Sequence, residues 1–120
     1  MPEYKLAPIE SRFADLIWQN EPLTSSQLVK LAQEHLEWKK STTYTVLKRL
    51  CERGIFQNEN GTVTSLLSKE EFQSAQSEEF VNETFGGSLP AFLAAFGARK
   101  KLSSKEIAQL ENLIHEMKEG

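Results

Sequence analysis

Cysteine is almost absent from this chain of 120 residues, with Cys51 alone, which excludes an intramolecular disulfide and any cysteine-built metal cage. Histidine is nearly as scarce. His35 and His115 have no second Cys, His or carboxylate at ligand spacing, so no metal and no cofactor is expected. Long apolar runs are missing too: the longest, "LPAFLAAFGA" from Leu89 to Ala98, is too short to cross a bilayer. The opening "MPEYKLAPIE" has no apolar signal region, so a cytoplasmic protein without a membrane partner is expected. No Ser/His/Asp set, glycine-rich phosphate loop or H-E-x-x-H pattern appears, and the expectation is that the chain is not an enzyme.

An excess of positive charge is also lacking, since the net charge is -3. That average hides an asymmetry. Residues 1–70 carry nine Lys/Arg against nine Asp/Glu, while residues 71–120 carry five against eight. Within Lys39–Arg53 there are five bases and one acid, Glu52. A polyanion would be met on this stretch or nowhere.

Apolar spacing places the elements. Ile9, Phe13, Leu16 and Ile17 form one helical stripe between about Pro8 and Gln19, with Pro8 in the first turn. "NEPLT" breaks it, and Thr24 or Ser25 caps a second helix in which Leu28, Leu31, Ala32, His35 and Leu36 repeat the spacing; His35 is expected half-buried. "STTYTVLKRLCERG" follows as a third helix, with Ser41 or Thr42 as its N-cap, Val46, Leu47 and Leu50 inward, and Gly54 just past its end. Cys51 lies four residues after Leu47 and fits a small core residue. Then the period changes. Asn60-Gly61 separates two β-capable runs, Ile55–Asn58 and Thr62–Leu67, and Asn-Gly is a strong hairpin signal because both residues tolerate positive φ. Three helices and a hairpin in this order give the expected fold class: mainly α with a small β-hairpin, a winged helix-turn-helix whose third helix is offered to a DNA major groove.

Beyond Lys69 the pattern is helical again. A fourth helix spans about Lys69–Phe85 and stops at Gly86-Gly87; a fifth, about Leu89–Ala98, is capped by Ser88; a sixth opens with the capping box "SSKE". Its Ile107, Leu110, Ile114 and Met117 alternate at spacings of three and four, and Leu113 widens the stripe. Burying one Leu or Phe is worth roughly 1.5–3 kcal/mol. Phe85, Leu89, Phe92, Leu93, Phe96 and the stripe of the last helix are more than short helices can hide among themselves, so a second copy of the chain is expected to cover them. The expected organisation is a winged-helix DNA-binding domain over 1–70 and a helical dimerisation region over 71–120.

Three segments carry a family resemblance. "STTYTVLKRLCERGIF" resembles the recognition helix of the penicillinase-repressor family of winged-helix transcriptional regulators, whose pattern is roughly S-T-V-x-T-x-L-x-R-L-x-x-K-G. "ADLIW" with Glu10 resembles the end of that family's first helix, and "FVNETFGGSLPAFLAAFGARKKLSSKEIAQLENLI" resembles its dimerisation region. The resemblance implies a homodimeric repressor on a dyad-symmetric operator, commonly ahead of antibiotic- or metal-resistance genes. It places Thr42, Thr45, Lys48 and Arg49 in DNA-facing positions. Relief of repression would bring a further partner, an inducer or a protease. Ala95-Phe96 stands where penicillinase repressors carry the Asn-Phe bond that is cut, Thr62 where the wing usually has Arg, and Leu66 where it has an aromatic.

The residues themselves support the same assignment. Lys39 and Lys40 lie just ahead of the third helix's cap, with Ser41 a candidate for that cap, where backbone N–H groups and positive charge favour a phosphate. Tyr44, Thr45 and Lys48 offer hydroxyls and an ammonium to bases or phosphates, and Thr62 sits at the wing tip. Arg49 has two roles open: DNA contact, or an ion pair with Glu10 or Glu52 that positions the helix. A different class of function stays in view, a dimeric protein-interaction module without DNA binding that would use Leu66, Leu67 and the hairpin edge.

Overall fold

The computed structural model describes residues 4–120. Among these, the chain runs α1 (Pro8–Asn20), β1 (Leu23–Thr24), α2 (Ser25–Leu36), α3 (Lys40–Glu52), β2 (Phe56–Glu59), β3 (Thr62–Ser65), α4 (Lys69–Phe85), α5 (Leu89–Arg99) and α6 (Ser104–Glu119). It falls into two compact units that divide between Glu79 and Phe80, inside α4.

The first unit is a winged helix-turn-helix. On α1 the expected Phe13 and Ile17 are fully buried and Leu16 is half-buried, but Ile9 is exposed, and Glu10 and Ala14 join the buried face in its place. Phe13, Ala14 and Ile17 turn this face to the apolar core, and Glu10 is tolerated on it because its carboxylate meets the Ala7 N–H and the Arg49 guanidinium. Thr24 caps α2 by accepting from the Gln27 N–H at 3.1 Å, and the Gln27 carboxamide accepts the Thr24 N–H at 2.8 Å in return. At the far end Glu37 takes a left-handed φ of 58°, and the N–H groups of Glu37 and Trp38 return to the carbonyls of Gln33 and Ala32. The chain leaves that reversal already aimed along α3, which starts at Lys40 with Lys39 as cap, before the expected Ser41 or Thr42. Gly54, at φ +80°, ends it as expected. His35 is exposed rather than half-buried, because α2 turns Leu28 and Ala32 to the core and leaves His35 at its margin.

The hairpin closes through Asn60 (φ 53°) and Gly61 (φ 82°), the two positive angles of a type I′ turn. Its strands pair Phe56 with Ser65 through to Glu59 with Thr62. A third strand was not legible in "NEPLT": β1 pairs antiparallel with β3, Leu23 opposite Val63, giving sheet order β1-β3-β2. Phe13, Ile17, Leu28, Leu50, Phe56 and Val63 meet in one core, with Cys51 half-buried at its edge. Polar clamps fix the wing on this core. The Trp18 indole N–H donates to the Leu67 carbonyl at 3.0 Å, and Glu21 accepts from both the N–H (2.9 Å) and the hydroxyl (2.7 Å) of Ser65.

The second unit, Phe80–Gly120, contains the end of α4, all of α5 and all of α6. Gly86 and Gly87 both take positive φ after α4, Ser88 caps α5 through the Ala91 N–H at 3.1 Å, and Ser103 and Glu106 form the capping box of α6. No side chain of α5 or α6 is buried. No helix of the described residues is long and apolar enough to cross a membrane.

Candidate nucleic-acid interface

On α3, Thr43, Val46, Leu47 and Leu50 are spaced three and four apart and buried. Thr43 can sit in the core because its hydroxyl donates to the Lys39 carbonyl at 3.2 Å. The opposite face carries Ser41, Thr45 and Lys48, again three and four apart and all exposed. Thr42 and Arg49 occupy one flank of this stripe, Lys40 and Tyr44 the other. Among the described residues, the ammonium groups of Lys39, Lys40 and Lys48 have no ion-pair partner. They stand free at the start and middle of the helix.

Each remaining expected site residue has a definite place. The Thr45 hydroxyl donates back to the Ser41 carbonyl at 2.9 Å, which leaves its oxygen lone pairs and methyl group for an approaching base. Tyr44 is half-buried and its hydroxyl donates to Ser25 Oγ at 3.3 Å, so it joins α3 to the start of α2. Arg49 Nη1 lies 3.2 Å from Glu10 Oε2, while about half of its side chain stays exposed (51%). Thr62 is exposed beside the wing tip. From Phe56 to Ser65 the wing has no Lys or Arg and one acid, Glu59, so its contribution to anion binding is limited to hydrogen bonds.

Two residues outside the expected set support this face. Ser25, besides meeting Tyr44, donates its N–H to the Gly61 carbonyl at 2.8 Å, tying the first turn of α2 to the wing. The capping signature Thr24-x-x-Gln27 marked that turn, but the long-range partner had no local signal. Glu10 is the other. It is 7% exposed and accepts from the Ala7 N–H at 2.9 Å and from Arg49, with Arg53 Nη1 at 3.7 Å. The Ala7 N–H hydrogen bond holds its carboxyl below the usual glutamate value; the two guanidinium groups add to this and burial opposes it.

The expected dimerisation residues lie in the second unit. Phe85 and Phe92 are half-buried against each other at 5.6 Å between ring centroids, Phe80 meets both, and Phe96 packs on Phe92 at 6.2 Å. Leu93 and Leu110 are half-buried. Leu89, Ile107, Leu113, Ile114 and Met117 are exposed, Met117 by 68%. His115 pairs with Glu119 at 3.2 Å along the same helix.

The family model described as penicillinase repressor matches residues 6–116. The chain is 22% identical over 116 residues to the methicillin resistance regulatory protein MecI of Staphylococcus aureus, covering 93% of this chain and 94% of that one. It is also 22% identical over 107 residues to the penicillinase repressor of Staphylococcus aureus, covering 86% and 85%. With the family match running through both the winged helix and the helices that follow it, the chain belongs to the penicillinase repressor family of transcriptional repressors.

Proposed function

We propose that this protein is a homodimeric repressor that binds a dyad-symmetric operator through α3 and blocks transcription of the genes behind it, resistance genes among the candidates by kinship with the two staphylococcal proteins. One observation carries the DNA-binding part: the exposed Ser41, Thr45, Lys48 stripe backs directly onto the buried face of α3, with unpaired lysines before and within it. In a major groove, Lys48 meets a phosphate or a guanine edge, Lys39 and Lys40 hold backbone phosphates at the helix start, and Thr45 reads a base. Tyr44 braces α3 against α2. Half-sites would lie about 10 bp apart or a small multiple of that.

Pairing is supported by the apolar residues left uncovered on α5 and α6. Without a second copy, the largely apolar α5 of 11 residues and the amphipathic α6 of 16 would keep much of their apolar surface wet, and helices of this length are marginal in water alone.

The test is an anisotropy titration of the purified dimer on duplexes selected from a random library, across a salt series. Lys48→Gln is expected to weaken binding to selected and random duplexes alike and to lower the salt slope by about one unit per protomer. Binding that is absent or indifferent to salt would overturn this proposal. It would favour the interaction-module alternative, for which the base-free wing and the exposed Leu66 (51%) are the supporting features.

A further inference from the structure

We infer that Glu10 is a positioning residue for operator recognition: it holds one end of the Arg49 guanidinium so that the other end faces the DNA in a fixed direction. The inference rests on α3 being the DNA-reading helix. Arg49 on α3 and Arg53 at its C-cap lie four apart, and the two reach different oxygens of the Glu10 carboxylate, Oε2 and Oε1. The geometry divides them. Arg53 is the more enclosed, 24% exposed, and also donates to the Lys5 carbonyl at 3.0 Å, so it is turned into the protein. Arg49 meets Glu10 through Nη1 and keeps half its surface outside, beside Thr45 and Lys48.

A guanidinium has five N–H donors in a rigid fork. One donor on Glu10 leaves the rest for a guanine edge or a phosphate, and the anchored end removes the rotational freedom that a surface arginine otherwise loses on binding. Glu10 can serve as the anchor because it is itself fixed. It lies in the first turn of α1, its Oε1 accepts the Ala7 N–H, and the surrounding core leaves it little room to move. Its negative charge also offsets one of the two arginines, so the flank of α3 is less attractive to any random phosphate than two bare guanidiniums would be. Glu10 therefore favours the correct sequence twice, by directing Arg49 and by restraining charge.

The two effects give a signature that loss of structure does not. Glu10→Gln keeps the side-chain length and an acceptor for the Ala7 N–H but removes the charge. Affinity for duplexes selected by the wild-type dimer is expected to fall roughly tenfold, the scale of one directed base contact. Affinity for random duplex is expected to rise, with the salt slope steeper by up to about one unit per protomer. Arg49→Lys, which keeps the charge and loses the fork, should lose the same discrimination, and combining it with Glu10→Gln should add little. Opposite movement of selected and random binding, with circular dichroism unchanged, supports the inference. Unchanged discrimination in both single variants overturns it, as does a parallel loss on both duplexes. Failure of the wild-type dimer to select any duplex would instead defeat the DNA-binding proposal itself.

Discussion

Among the described residues, Glu10 and Thr43 are the polar side chains buried in the winged helix, and they are accommodated in different ways. Thr43 is satisfied within its own helix, so its burial has no dependence on pH. Glu10 depends on staying ionised. Its folded carboxyl titrates below the ordinary glutamate value of 4.5, which means the unfolded chain takes up a proton first as the solution is acidified. The stability contributed by the ionised form is thus complete above the ordinary value and is lost as pH falls through the lower folded one. The urea midpoint of the protein is expected to drop between neutrality and about pH 3.5, and to drop less in Glu10→Gln. Equal pH slopes for the two proteins would show that this carboxylate does not govern acid stability. Arg49 shows why such a site is only half legible beforehand: sequence spacing puts it on the rim of the outward face, and both DNA contact and an ion pair suit that rim. Which acid it meets is decided by how α1 packs, and no local pattern records that.

At the scale of elements, legibility follows the range of the interactions. Helices with several turns of apolar spacing were readable almost to their ends, α4 to the residue. The hairpin was readable because Asn60-Gly61 is a local backbone demand. β1 was not, since its two residues become a strand only by meeting Val63 and Thr62, forty residues or so away. The start of α3 was misplaced for a related reason: Ser41 and Thr42 are good caps in isolation, yet the left-handed Glu37 and the packing of Trp38 on Phe13 (5.0 Å between centroids) set the helix going at Lys40. The turn allows a clean experiment. A Cβ on Gly61 would meet nothing within 4 Å, so Gly61→Ala should be penalised only through its φ of +82°. The expected loss is about 1 kcal/mol, read by thermal denaturation, rather than the larger loss of a steric clash. A loss above about 3 kcal/mol would mean that the turn does more than reverse the chain.

For the whole molecule, the two compact units have contrasting interiors. The first holds every buried apolar side chain among the described residues; the second, Phe80–Gly120, holds none. Ile114 lies on the apolar face of α6 and is largely exposed. Ile114→Asp is expected to leave the winged helix folded while sedimentation shifts from dimer to monomer and operator binding collapses, because each monomer then holds only one half-site. A dimer that survives this change unaltered would place the contact between copies elsewhere.

With the proposed pairing of two copies, that contrast makes the regulator sensitive to its own abundance. A C-terminal region completed only by a second copy has a stability that depends on how many copies are present. As synthesis slows and the concentration nears the dissociation constant of the pair, the active form declines more steeply than the total. The unpartnered tail, its helices capped but their apolar side chains turned to water, is then the natural first bite for housekeeping proteases. Switching off would be sharpened by dilution alone, before any signal molecule arrives.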